Sequence, residues 1–322
     1  MGPSPAWLDQ RLLFFTGKGG TGKSTVASAA ALFAARNGKR VLVVDVDAKQ
    51  TVANQFEHKP VGFVAERVHH GIDAMAMDTE QSLREYLKLN LRIPVVGRVG
   101  PIARMFDFVA TAAPGVREIL TIGKIAWEVR ESIAGRSKYD IVIVDAVASG
   151  HVIAHLNAAR TIRDLADVGP LRHQTDWMID LLEDPTVTSV NIVTTPEEMP
   201  VAETIELVAR LKAETKVPLG SIVVNRVLPE LFTVDDERVF NTLRSAPVAD
   251  SLMADCGSRV ADVFEGARLA VELRRSRSEH LERLRAEIDP AIGMLFLAYQ
   301  FGSLHGLRMT ATLAQALSEE LL

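Results

Sequence analysis

Three features of the 322-residue sequence predict a doubly wound α/β fold around a mostly parallel sheet. Short, almost uninterrupted apolar runs recur, helical stretches separate them, and a glycine-rich loop joins the first run to the first helix. Apolar runs without alternation suit parallel strands covered on both faces. Strands alternating with helices build a sheet of that kind.

The elements follow in order. Residues 11–16 (RLLFFT) form a short apolar run ending at glycine, hence a buried strand. Residues 23–37 are alanine-rich with few breakers, and Gly38 supplies a C-cap, so they read as a helix. Residues 40–46 (RVLVVDV) are a second central strand, and 72–77 read as an edge strand. Helices are predicted at 80–91, 102–111 and 116–134. This stretch is too long for one crossover helix, so its latter part reads as a helical insertion. Residues 139–144 (YDIVIV) resume the sheet, followed by a helical block at 151–183. A strand at 188–193 (TSVNIV), a helix at 201–215 and a strand at 221–224 (SIVV) come next. Residues 229–278 are polar, charged and helix-like, and 291–299 fit a buried strand. With no internal repeat or low-complexity tract, residues 1–322 read as one domain. A helical subdomain is expected from about 80–135 and 151–185.

Composition narrows the function. The chain is 48% hydrophobic and 24% charged, ordinary for a globular protein, and its net charge of −5 gives no general attraction to nucleic acid. The single cysteine, Cys256, excludes disulfides and cysteine-built zinc sites within one subunit and makes a reducing cytoplasm the simplest compartment. It is expected to be a small buried or partly buried residue. Residues 1–10 lack the basic and apolar regions of a signal peptide, and no apolar run is long enough to span a bilayer.

Residues 17–24 (GKGGTGKS) fit G-x-x-x-x-G-K-[ST] directly after a strand and before a helix, the pattern of a P-loop NTPase. Glycines let the backbone fold around phosphate oxygens with amide hydrogens pointing inward, and the next helix adds its positive N-terminal end. Gly17, Gly19, Gly20, Thr21, Gly22 and Thr25 belong to this nucleotide-binding set. Lys23 is expected on the β- and γ-phosphates of ATP, and the Ser24 hydroxyl on Mg²⁺.

GKGGTGKST, RVLVVDVDAKQ, YDIVIVDAVASGH, IVTTPEEMPVAETIELVARL and IVVNRVLP occur in this order, and the set resembles the ArsA family of arsenite-pump and tail-anchored-protein-targeting ATPases. The phrase APG-x-R-E-x-L at 113–120, followed by Gly123, Lys124 and Ile125, is similar to bacterial members of unassigned client. The resemblance spans about 12–227 and returns weakly near the C-terminus. It implies that Lys18 reaches across a dimer interface to the partner's nucleotide; a solvated surface lysine is the plainer alternative. It implies that Asp47 orients the attacking water and assists at Mg²⁺, with a helix N-cap and the neighbouring Asp45 as competing readings. Asp145, ending its strand, reads as the acid that holds Mg²⁺ through water. Asn225 is similar to the family's adenine-recognising asparagine, against an ordinary turn asparagine.

Two departures stand out. Val147, Ala148 and Ser149 replace the family's prolines and threonine before Gly150 and His151, leaving a γ-phosphate contact through the Gly150 amide but a less pre-organised loop. Ala298 stands where the family has a proline in its adenine loop.

One cysteine per chain cannot supply the thiolates of an arsenite site or a paired-cysteine zinc clasp. His151 and His155 have helical i, i+4 spacing, but no further ligand is evident nearby. Met105, Phe106, Phe108 and Val109, with Ile119, Leu120, Ile122 and Ile125, form apolar stripes that read as core before client groove. The expected function is an ATP·Mg²⁺-driven switch, a homodimer or a heterodimer with a paralogous ATPase, acting on a protein or membrane-protein client. One alternative is a ParA- or MinD-like partitioning or positioning ATPase, whose membrane targeting is disfavoured because residues 310–322 carry no lysine or arginine. Another is a weakly active subunit of a heterodimer with a paralogous ATPase, which the altered segment after Asp145 keeps open.

Overall fold

The computed structural model describes residues 7–91, 115–133, 135–165, 170–230, 233–257, 259–302 and 305–321. The helix predicted at 102–111 and the apolar group Met105, Phe106, Phe108 and Val109 lie outside these residues.

Along the chain the strands are β1 (Leu12–Thr16), β2 (Val41–Asp45), β3 (Glu66–His69), β4 (Ile72–Ala76), β5 (Ser132–Ile133), β6 (Arg136–Ser137), β7 (Ile141–Asp145), β8 (Thr188–Thr194), β9 (Leu219–Val227) and β10 (Gly293–Ala298). The helices are α1 (Lys23–Arg36), α2 (Thr51–Gln55), α3 (Thr79–Leu91), α4 (Val116–Arg130), α5 (Ser149–Leu165), α6 (Pro170–Glu183), α7 (Glu198–Glu214), α8 (Val234–Leu243), α9 (Ala246–Cys256), α10 (Arg259–Glu287) and α11 (Gly306–Leu321). Among the described residues, eight strands form one sheet in the order β10-β9-β8-β1-β7-β2-β4-β3. All neighbours are parallel except β3 against β4. The doubly wound, mostly parallel sheet is as expected.

Alternate strand residues divide the core. Leu13, Phe15, Val41, Val43, Ile141 and Ile143 face α1 and α11, whereas Leu12, Phe14, Leu42, Val44, Val142 and Val144 face α4, α5 and α7. Helix α1 is buried continuously from Val26 to Ala34 because the sheet covers one side and α11 the other. Small alanines let both neighbours approach. Its end is a Schellman motif: the Gly38 N–H donates to the Ala35 carbonyl at 3.0 Å and the Lys39 N–H to that of Ala34 at 3.1 Å.

Four expectations need correction. The strand at 72–77 is not the edge, because polar β3 folds back antiparallel outside it. The helix predicted to run to 134 ends at Arg130, where Glu131 turns extended, and a two-stranded ribbon of β5 and β6 follows. The strand near 291–299 is Gly293–Ala298, an edge strand with two of its six residues fully buried. Cys256 is exposed rather than buried, since no residue of α9 is buried.

Leu120, Ile122 and Ile125 are core, and Ala126, Ala159, Met178 and Ile179 join α4, α5 and α6 in a small cluster with Ile119 against it. The polar stretch from 229 forms α8, α9 and α10. Of α10's 29 residues only Leu284 is buried, while Val263, Leu269 and Leu273 are exposed.

Candidate functional site

The C-terminal ends of the central strands meet at one rim of the sheet, where the order reverses around β1 and ligands of such folds bind. The segment from Gly17 to Gly22 leaves β1 at this rim and enters α1. At Gly17, with φ 141°, a Cβ would lie 2.1 Å from the Val193 carbonyl oxygen; at Gly22, with φ 91°, it would lie 2.5 Å from Asn225 Nδ2. Both positions require glycine on steric and conformational grounds. At Gly19 and Gly20 a Cβ would meet open space, although Gly20, at φ 90°, still favours glycine conformationally.

Gly22 is the N-cap of α1 and no side chain caps it. The first amides of α1 therefore remain available to an anion at the positive helix end. The Lys18 carbonyl gathers the loop, accepting from Thr21 Oγ1 at 3.0 Å and Lys23 Nζ at 3.3 Å. Asn225 at the end of β9 donates from Nδ2 to the Thr21 carbonyl at 2.9 Å, and its Oδ1 accepts from the Arg226 N–H at 3.0 Å. Both ends of this amide are engaged within the protein. Thr25 accepts from Gln55 Nε2 at 3.3 Å, tying α1 to α2.

Two carboxylates sit beside the loop. Asp45 and Asp145 are register partners across β2 and β7, and both are buried. Burial pushes the Asp145 carboxyl up to about 7, against a contact from the Ser24 hydroxyl that favours ionisation. Asp45 is also raised by burial, opposed by the backbone amides of Lys49, Gln50 and Ala48. Asp45 Oδ2 and Asp145 Oδ1 have no hydrogen-bond partner in the protein. Unpaired buried oxygens are costly, so their presence marks a place for a cation or water. Burial lowers the Lys23 ammonium, and the negative charges of Asp145 and then Asp47 offset this. Asp47 sits within the turn that wraps Asp45, but its side chain is exposed and pairs with Lys49 at 2.7 Å. In that turn Ala48 and Gln50 adopt left-handed φ of 52° and 60°, conformations that cluster at functional loops.

The segment after Asp145 is tied to β1 and the phosphate loop by three hydrogen bonds. Thr16 Oγ1 donates to the Val147 carbonyl at 2.9 Å, the Ser149 N–H to the Gly17 carbonyl at 3.2 Å, and the Ala146 N–H to that of Phe15 at 2.9 Å. Gly150 lies in the first turn of α5. His155 Nδ1 contacts the His151 carbonyl at 3.2 Å, and among the described residues no cluster of three His, Cys, Asp or Glu forms a metal-binding group. Lys18, at the loop's second position, forms an ion pair with Glu203 of α7, whose other oxygen accepts from Ser149 Oγ at 3.3 Å.

The structure thus brings Gly17, Lys18, Thr21, Gly22, Lys23, Ser24, Asp45, Asp145, Ser149 and Asn225 together. Sequence reasoning assigned no role to Glu203 or Thr16, although Glu203 lies within the PEEMPVAET phrase.

The family model described as anion-transporting ATPase, of the ArsA type, matches residues 10–174 and 163–246. The chain belongs to the ArsA ATPase family. ArsA-family relatives span several lineages. ATPase BagA of Mycobacterium tuberculosis is 35% identical over 243 residues, covering 71% of this chain and 69% of that protein. An arsenical pump-driving ATPase of Acidiphilium multivorum is 26% identical over 68% of this chain and 40% of its own length. An ATPase ASNA1 homolog of Entamoeba dispar is 26% identical over 67% of this chain and 76% of that protein. The present ArsA-family chain is an ATPase, and its family match ends at residue 246, near the start of α9. No helix among its described residues is long and apolar enough to cross a membrane.

Proposed function

We propose that this ATPase is a cytoplasmic dimeric switch, either of two copies or with a paralogous ATPase, in which ATP·Mg²⁺ drives opening and closing that handles a protein or membrane-associated client. The observation that carries this reading is the uncapped start of α1 beside the unpaired Asp145 oxygen. Amides of the loop from Gly17 to Thr25 and the Gly150 amide would bind phosphate oxygens, and Lys23 would oppose their charge. Ser24 and Asp145 fit a hard divalent cation, since they offer hydroxyl and carboxylate oxygens in contact with each other. Mg²⁺ bound there would neutralise phosphate charge. Asp47, free of the turn amides that engage Asp45, would orient the water and assist at the metal, and Lys18 would act on the partner's nucleotide. Asn225 would meet the adenine through its second Nδ2 hydrogen or its remaining Oδ1 lone pair, since its present contacts use one of each.

A client other than arsenite is supported by the soft-ligand requirement of As(III), which the single Cys256 does not meet. The domain reading is one unit over 1–322 with a helical subdomain from about 80–135 and 151–185, supported by the cluster joining α4, α5 and α6.

The test is Lys23→Ala. ATP·Mg²⁺ binding, measured with labelled nucleotide, should fall strongly while the circular-dichroism melt stays cooperative. A folded variant that binds ATP as the parent does overturns the site.

A further inference from the structure

Glu203 touches both the phosphate loop and the segment after Asp145. It projects from α7, and its two carboxylate oxygens are divided between the Lys18 ammonium and the Ser149 hydroxyl. The backbone of Lys18 is fixed independently, because its carbonyl accepts from Thr21 and Lys23. Glu203 therefore directs only the side chain. The pair is half-buried, with 29% and 32% of the two side chains exposed, so it is neither dry enough to be permanent nor open enough to be negligible. Ser149 is fixed through its own amide to the Gly17 carbonyl at 3.2 Å, which leaves its hydroxyl free to change partner.

A carboxylate and a phosphate are competing anions for one ammonium and one hydroxyl. We propose that Glu203 is a positioning residue that holds Lys18 and Ser149 against their own subunit, and that ATP-driven closure transfers Lys18 from this carboxylate to a phosphate. The inference rests on the reading that Lys18 works on bound nucleotide. While the pair persists, the fraction of subunits competent to close is reduced, and the apparent need for ATP rises by the same factor. Because the same carboxylate accepts from Ser149, release of the lysine and release of the Ser149 hydroxyl occur together. The arrangement makes phosphate arrival the event that frees both groups.

Glu203→Gln keeps the shape and removes the charge. The ATP concentration for half-maximal hydrolysis and for nucleotide-driven dimer closure should fall about two- to fivefold, the range of a half-exposed ion pair, without loss of kcat. A purely structural role would not produce this split. In a Lys18→Ala background, adding Glu203→Gln should change nothing, because the lysine being released is absent. Closure is read by energy transfer between labelled subunits, and folding by the circular-dichroism melt. Should Glu203→Gln not fold, Glu203→Ser removes the same charge and carries the same test.

An unchanged ATP requirement, a lowered kcat in a folded variant, or a gain that persists without Lys18 would each overturn the proposal. Lys18→Ala measured alone separates the two levels. If it closes and hydrolyses as the parent does, the nucleotide reading of Lys18 fails. If it is impaired while Glu203→Gln is parent-like, only the role of Glu203 fails.

Discussion

The side-chain amide of Asn225 donates to the carbonyl of Thr21 at 2.9 Å, joining the end of β9 to the phosphate loop 204 residues away in sequence. Asn225 is buried, and its Nδ2 also occupies the space that a Cβ on Gly22 would need. The amide is thus a strut for the loop as well as a candidate reader of the base. Asn225→Ala should weaken ATP binding about fivefold, from the loss of roughly 1 kcal/mol for one neutral hydrogen bond. If the strut dominates, ATP and GTP should lose affinity equally in titration calorimetry. A loss confined to ATP would assign the residue to base recognition instead.

The strands carrying the site were legible because β1, β2 and β7 are buried at every residue and run apolar up to one terminal polar residue each, while β8 keeps Val190, Ile192 and Val193 among buried polar residues. The loop was legible because the steric demands at Gly17 and Gly22 leave a fixed residue pattern. Strand β3 was not, since Val68 alone among its four residues is buried and Glu66 and Arg67 read as loop. The break after Arg130 was hidden because only Gly135, at φ 79°, punctuates an otherwise helix-compatible stretch. The roles of Glu203 and Thr16 depend on contacts across 185 and 131 residues of sequence, which no local pattern encodes.

Asp145 gives a pH signature. Its folded-state value of about 7 lies above the ordinary 3.8, so between these values the folded protein keeps a proton that the unfolded chain has lost. Stability from this group is present at low pH and declines as pH rises through the window, by up to about 1.4 kcal/mol per pH unit for one proton. The nucleotide-free protein should therefore lose melting temperature between pH 5 and 7 relative to Asp145→Asn, with the gap levelling above about pH 7. Parallel melting curves for the two proteins would refute this account of the carboxyl.

The two acids after β2 should separate cleanly. Among the described residues the exposed Asp47 pairs with Lys49 across its turn, so Asp47→Asn should leave ATP binding and the melt near those of the parent. Its single-turnover hydrolysis should fall about 10²- to 10⁴-fold, the usual worth of a positioned general base. Asp45 orders the turn through the Lys49, Gln50 and Ala48 amides. Asp45→Asn should therefore lower the melting temperature and nucleotide affinity together. Rapid-quench rates for Asp47→Asn equal to the parent's would move the water-activating role to another group.

Lys18 separates a dimeric mechanism from a monomeric one. In the single chain its ammonium is turned toward Glu203, while Lys23 lies beside the start of α1 and is biased by Asp145 and Asp47. Two lysines of one loop thus face different surroundings, as expected if they serve different nucleotides. A charge placed on phosphate in a closed, water-poor interface contributes more than at an open surface. Lys18→Ala should therefore bind ATP nearly normally as an isolated subunit, yet hydrolyse it poorly and close weakly. Mixing it with Lys23→Ala makes the direction visible. In the mixed dimer only the Lys18→Ala chain binds nucleotide, and the intact Lys18 arrives from the Lys23→Ala chain. Hydrolysis per bound ATP should recover in that mixture, with subunit exchange followed by energy transfer. If mixed dimers form and activity does not return, Lys18 acts within its own subunit and the trans mechanism fails.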